Sequence, residues 1–256
     1  MILAVDVGNT NVVLACLENG KAVSMSRYAT NRDELASDYA LKIRQSLDLD
    51  KIDTKMIEGA IISSVVPPVT VAIKEAIKRL FGIDSLIVGS GIKTGINIKI
   101  DDPGTAGCDL ITGAVGALAK YSPPIIIIDM GTATTLFALD KNGAFIGGSI
   151  IPGVKLSYSA LSSGASLLPV ISVSEAPKKV ISSNTVDCMK SGAIFGTAAM
   201  IDGMIERMEL ELGGDVTSVA TGGLAGHIIP YCKKKIEYEP ELLLDGLQII
   251  YDKNKK

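Results

Sequence analysis

A chain of 256 residues with 47% hydrophobic and 21% charged side chains can bury one large core or two modest ones, and it is too apolar to be disordered. A formal net charge of −3 excludes a global basic field for nucleic acid. Apolar runs such as 125–128 are far too short to cross a bilayer, and Met1 leads into the first strand without a charged n-region or cleavage site. The expectation is a soluble, cytoplasmic protein with no nucleic-acid or membrane partner. Cys16, Cys108, Cys188 and Cys232 are scattered with no C-x-x-C pair, and His227 is the only histidine. A zinc site or a histidine-dependent hydrolase is therefore not expected.

In chain order, Ile2–Val7 and Val12–Leu17 read as a strand pair, with Asn19-Gly20 as a hairpin dipeptide. A helix is expected from Asn31 or Asp33 to Leu47, carrying Leu35, Tyr39, Ile43 and Leu47 at helical spacing. The stretch "MIEGAIISSVVPPVT" predicts a buried strand ended by Pro67-Pro68. A helix to about Leu80 and a strand at "SLIVG" follow, which makes an α/β order. The Gly-rich "GSGIKTGINIKIDDPGTAG" leads into an apolar helix from Cys108 or Asp109 to Ala119. "YSPP" at 121–124 marks a boundary between lobes 1–120 and 121–256. Beyond it come a second strand pair, Gly147-Gly148, a loop at Pro152-Gly153, a long helix from about Val186 to Leu212, "VTSVATGG", "KIEYEP" and a last helix from Glu241 to Tyr251. That last helix is placed back against the first lobe.

The chain repeats itself. "AVDVGNTNVVLACLENG" (4–20) aligns with "IIDMGTATTLFALDKNG" (127–143) at constant offset, Asp6 on Asp129, Gly8 on Gly131, Ala15 on Ala138 and Asn19-Gly20 on Asn142-Gly143. An Asp ending a buried strand is costly unless something binds it, and hydrated magnesium is one such partner. Gly8 permits close backbone approach, and Asn9, Thr10 and Asn11 offer donors to phosphate oxygens. A polar turn closed by the Asp side chain is the simpler alternative, but the second copy favours phosphate handling. Neither a P-loop nor a G-x-G-x-x-G motif is present. Thr221-Gly222-Gly223 suits either a plain strand-to-helix turn or a backbone bed for adenine or ribose. Asp109 at a helix start is either a residue favoured by the helix dipole or a base for an acceptor hydroxyl.

Nine colinear stretches bear a family resemblance. They are DVGNT (6–10), "SSVVPPV" (63–69), "DPGTAGCD" (102–109), DMGTATT (129–135), "GGSIIPG" (147–153), "LSSGASLLP" (161–169), "NTVDCMKSGAIFG" (184–196), "TGGLA" (221–225) and "LLLDGLQIIY" (242–251). The chain resembles the type III pantothenate kinases of the acetate kinase, sugar kinase, Hsp70 and actin superfamily. The resemblance implies two duplicated ribonuclease H-like lobes, an actin-like ATPase fold, with ATP in the cleft between them. It implies phosphorylation of pantothenate to 4'-phosphopantothenate, the first step of coenzyme A biosynthesis.

By position, it implies that Asp6 and Asp129 hold magnesium. Gly8, Asn9, Thr10, Gly131, Thr132 and Thr134 would surround the ATP phosphates. Asp109 would be the catalytic base, and Gly107 and Thr185 would contact the acceptor. It further implies a homodimer and a monovalent cation such as potassium. Three positions depart from the family pattern. Leu110 stands where the family usually has Arg, Ile100 where it has Tyr, and Phe137 where an Asp is common. Leu110 and Ile100 belong to the acceptor pocket, and an Arg is the natural bidentate partner of a carboxylate. Loss of a charge-assisted bond of roughly 1.5–3 kcal/mol weakens carboxylate binding about 10- to 150-fold. Three readings follow: a pantothenate kinase, a paralogue acting on an uncharged polyol or sugar, and a nucleotide-binding regulator without turnover.

Overall fold

Two six-residue strands carry the same burial pattern. In β1 (Ile2–Val7) and β6 (Ile125–Met130) every residue is buried except the fifth, Asp6 and Asp129 respectively. Strands covered on both faces read as continuous apolar runs, and each of these becomes the centre of a five-stranded sheet. The structure is a computed structural model that describes residues 1–255.

Two units are distinguished. The first comprises Met1–Ile96, Asp101–Ala119 and the segment from Glu241 onward; the second comprises Asn97–Ile100 and Lys120–Pro240. In the first, β1 pairs antiparallel with β2 (Asn11–Glu18), which pairs with β3 (Lys21–Ala29). On its other side β1 runs parallel to β4 (Gly59–Ser64), followed by the two-residue β5 (Leu86–Ile87), for an order β3-β2-β1-β4-β5. Helices α1 (Ala36–Leu49) and α2 (Pro67–Phe81) cover one face, where Tyr39, Ile43, Leu47, Ile73 and Ile77 pack on Leu3 and Val5. On the other face Val115 of α3 (Cys108–Lys120) and Leu244, Leu247 and Ile250 of α8 (Leu242–Asn254) meet Ile2, Ala4 and Ile61.

The second unit repeats the plan. Strands β6, β7 (Ala133–Leu139) and β8 (Phe145–Pro152) form an antiparallel meander, and β9 (Thr217–Thr221) runs parallel to β6. The short β10 (Glu237–Tyr238) completes the order β10-β9-β6-β7-β8. Read from the other edge, this is the strand order of the first unit. Ile126, Ile128 and Met130 pack on Ile194, Ile201 and Ile205. The last two lie on α6 (Thr197–Leu212), and α4 (Val154–Gly164), α5 (Thr185–Ser191) and α7 (Ala225–Ile228) complete the helices of this unit.

Several local expectations change. Asn19-Gly20 joins β2 to an unforeseen third strand, with both residues at positive φ, 51° and 77°. Helix α1 begins at Ala36 rather than Asn31 or Asp33, because the Asp38 carboxylate accepts the Leu35 N–H at 2.9 Å and closes the end there. Pro67 and Pro68 open α2 rather than merely ending a strand, since the first helical turn needs no internal N–H donor. The helix expected from Val186 to Leu212 is α5 and α6 joined by one π-helical turn, Gly192–Gly196.

Helices α3 and α8 cross through glycines. A Cβ on Gly246 would lie 2.0 Å from the Thr112 carbonyl oxygen, and one on Gly116 would lie 2.3 Å from that of Leu242. Backbone is the obstacle at both points, so Gly246→Ala should destabilise the first unit by about 1–3 kcal/mol, the usual cost of overpacking. Urea denaturation of the variant against the parent chain checks this.

Candidate functional site

The turn after β1 contains Gly8, Asn9 and Thr10. Gly8 N–H donates to the Asn11 carbonyl at 2.9 Å, and a Cβ at Gly8 would press on that oxygen at 3.3 Å. Residues past β3, absent from the motif, pin this turn. Thr30 Oγ1 donates to the Gly8 carbonyl at 2.7 Å, the Thr30 N–H donates to Thr10 O at 2.9 Å, and Arg32 donates to Asn9 Oδ1 at 3.1 Å. Asn9 and Thr10 remain exposed, and Asp6 half-buried. Only the loop's own residues were legible as candidates, since the pinning groups Thr30 and Arg32 come from the chain just past β3.

In the same unit, β4 ends beside β1 with Ser63 next to Asp6 in the parallel register. Cys108, the first residue of α3, is tied to that strand end: its Sγ accepts the Ser64 N–H at 3.2 Å and donates to Ser64 O at 3.0 Å. This anchors the start of the helix that carries Asp109. Burial pushes the Asp109 carboxyl above the ordinary carboxylate range, against the opposing pull of the Leu110 N–H, which donates to its Oδ1 at 2.9 Å. Gly107 makes room for this arrangement, because a Cβ there would sit 2.4 Å from Asp109 Oδ1. A poorly solvated carboxylate is a stronger proton acceptor than a surface one. Leu110, half-buried, follows directly.

In the second unit the turn after β6 contains Gly131 and Thr132, both exposed. Gly131 N–H donates to Ala133 O at 3.0 Å, and Gly153 N–H donates to Thr132 O at 3.1 Å, as Thr30 does to Thr10 in the first unit. A Cβ on Gly153 would fall 2.2 Å from Thr132 O. Gly222, after β9, has φ +96°, and a Cβ there would lie 2.6 Å from both Asp129 Oδ1 and the Met130 nitrogen. The "TGG" turn thus lays bare backbone against the Asp129 carboxylate, which the motif alone left open.

Thr134 does not join Asp129. It is paired with Met130, on the sheet face that packs on α6, and is 1% exposed. Thr135 is the residue opposite Asp129. Ile100 lies along β8, with its Cγ2 3.7 Å from where a Cβ on Gly147 would be. Thr185, at the start of α5, lines a cavity of about 580 Å³ with Tyr158, Leu161, Asn184, Cys188 and others, none of them charged. Phe137 is 3% exposed, its ring 5.5 Å from that of Phe145.

Bare backbone at Gly153 and Gly222, and the shielded Thr135 hydroxyl oxygen without a hydrogen-bond partner on the strand opposite Asp129, fit a phosphate-bearing ligand and its magnesium beside that carboxylate. Among the described residues no group of three or more His, Cys, Asp or Glu could hold a metal. Magnesium is ordinarily held by one or two carboxylates with water and phosphate completing its shell, so isolated aspartates suffice. The Phe137 side chain offers a monovalent cation no oxygen.

A model of the family described as type III pantothenate kinase matches residues 2–207. The chain is 39% identical over 256 residues to a type III pantothenate kinase of Exiguobacterium sp. (strain ATCC BAA-1283 / AT1b), covering 100% of both chains. The chain belongs to the type III pantothenate kinase family. The family member of Moorella thermoacetica (strain ATCC 39073 / JCM 9320) is likewise 39% identical over 254 residues, covering 99% of this chain and 100% of its own. Among solved structures, the activator of the 2-hydroxyisocaproyl-CoA dehydratase from Clostridium difficile with bound ADPNP is similar in fold. Its TM-score is 0.56 at 13% identity, over 98% of this chain and 93% of that one. The fold class is α/β, of the actin-like ATPase kind.

The raised Asp109 carboxyl has a thermodynamic consequence. The folded chain holds the proton more tightly than the unfolded chain, so stability falls as pH rises from the ordinary carboxylate pKa through the raised folded value. Asp109→Asn should therefore be more stable than the parent at neutral pH, with the difference vanishing below the ordinary carboxylate pKa. Denaturant melts from about pH 3 to about pH 8, spanning the carboxylate range, test this.

Proposed function

We infer that this chain is an ATP-dependent kinase that phosphorylates pantothenate on its hydroxyl. Membership of the family carries the reading of substrate and reaction, and the half-buried Asp109 in the first turn of α3, its carboxyl raised by desolvation, is the observation that supports its chemistry. Asp109 would accept or orient the acceptor's hydroxyl proton, its Oδ1 already held by the Leu110 N–H. Asp6 and Asp129 would hold magnesium, which supplies charge stabilisation for the transferring phosphoryl group when bound. Gly8, Asn9 and Thr10 in one unit, and Gly131 and Thr132 in the other, would offer N–H and hydroxyl donors to phosphate oxygens. Thr134 is left without a ligand contact in this reading, since its side chain faces the core and its strand is paired on both sides. Catalysis is then positioning and electrostatics rather than covalent chemistry.

Gly107, Leu110, Ile100 and Thr185 are the proposed acceptor contacts. A leucine at 110 binds a carboxylate through nothing but apolar contact, so the acid group of pantothenate is read elsewhere or weakly. Potassium remains attached to the reading only by the family, and no step is assigned to it, because Phe137 is a buried core side chain. A homodimer is supported by the exposed apolar side chains Leu156, Leu161, Leu167, Val170, Val180 and Ile181 within one stretch of the second unit. The four free cysteines suit a reducing, cytoplasmic compartment.

The test is ADP release with magnesium and ATP, comparing pantothenate with a panel of polyols and sugars. Turnover on pantothenate is expected, and Asp109→Asn should lower kcat about 10²- to 10⁴-fold, the usual contribution of a positioned base. Turnover on neutral acceptors alone would replace pantothenate with an uncharged substrate. Leu110→Arg should lower the KM for pantothenate about tenfold or more, the worth of one charge-assisted bond, and leave the KM for ATP alone.

A further inference from the structure

Side chains directly opposite each other in neighbouring strands project from the same sheet face. Thr221 of β9, Asp129 of β6 and Thr135 of β7 are such neighbours, and they form one polar row across three strands. The row opens in one direction. Thr221 is buried, Asp129 and Thr135 are intermediate, and the next position, Ile150 of β8, is 77% exposed. Within that row the Thr135 hydroxyl oxygen is shielded from water and has no hydrogen-bond partner. A shielded, unpartnered hydroxyl is a standing cost to the fold, and such groups call for an explanation in a ligand or an ordered water.

The duplicated unit provides an internal control. Its equivalent row is Ser63, Asp6 and Val13, with a valine in the place of Thr135. The same sheet plan thus takes an isosteric apolar side chain at this register in the first unit, where no hydroxyl is needed for packing. The two rows share a hydroxyl and an aspartate and differ at the third position.

We propose that Thr135 is a positioning residue for the hydrated divalent cation drawn in by Asp129: its Oγ1 accepts a hydrogen bond from a cation-bound water. The cation is the one that accompanies the nucleotide, so the proposal rests on the kinase reading of the site. A group that orients a metal's water shell, rather than the metal itself, tunes affinity without completing the coordination sphere.

Thr135→Val and Thr135→Ser in the full chain test this, by calorimetric titration of magnesium into the ADP-loaded protein, by urea denaturation without ligand, and by kinetics. Thr135→Val is expected to be at least as stable as the parent without ligand and to bind magnesium about 5- to 10-fold more weakly, the loss of a hydrogen bond. Its half-saturating magnesium in turnover should rise in proportion while the KM for pantothenate stays put, and Thr135→Ser should restore most of the affinity. Unchanged magnesium binding in Thr135→Val overturns the proposal. So does a loss of ligand-free stability in Thr135→Val, which would give the hydroxyl a structural partner. If the parent chain turns over no acceptor, the kinase reading fails, yet the ADP-loaded titration still decides the role of Thr135.

Discussion

A carboxylate near the end of a buried central strand is the constraint on which the rest of this molecule is arranged. Asp6 and Asp129 each follow four buried residues in the strand with neighbours on both sides. Removing a carboxylate from water is expensive unless donors or a cation attend it, so Asp129 has polar neighbours on both sides, while Asp6 has a hydroxyl on one side and Val13 on the other. Ser63 lies beside Asp6, and Thr221 and Thr135 flank Asp129. Gly222 leaves the Asp129 carboxylate against backbone, where any side chain would collide. These devices are what a chain needs if it must present an acid to phosphate and metal instead of burying it.

Duplication explains how the same problem is met twice, and divergence explains why the units are not interchangeable. Both use the same strand order and tie the turn after the central strand by an N–H from a residue beyond the third strand, Thr30 or Gly153. From there they part. The first unit hangs α3 from its sheet through Cys108 and Ser64, which sets Asp109 at the helix start. The second has the glycine cradles and the extra hydroxyl of Thr135. The carboxyl raised by burial thus belongs to one unit and the glycine-lined aspartate to the other.

Asp109 illustrates how function and stability pull apart within such a design. Burial raises its pKa and makes the charged form costly. The Leu110 N–H softens that cost without removing it. A fold that kept the carboxylate solvated would be more stable and a poorer base. The adjoining Leu110 adds no positive charge, so the acid is left without the neutralising neighbour that an arginine would provide.

The sequence by itself determined the repeat, the central strands, the aspartates that end them and the family, because these rest on local periodicity and on motifs whose chemistry is written in adjacent residues. It also marked Leu110, Ile100 and Phe137 as departures. Only the tertiary structure decided what depends on residues distant in the chain. Strand β3 alternates in burial but not in residue type, turning Ser24 inward and Val23 and Met25 outward, and the pinning of Gly8 by Thr30 crosses 22 positions. The tie of Cys108 to Ser64 crosses 44, and Gly222 meets Asp129 from another strand. Which of two adjacent threonines shares a face with Asp129 was likewise settled by register. A strand turns successive side chains to opposite faces, and only pairing says which face the neighbouring strand's aspartate occupies.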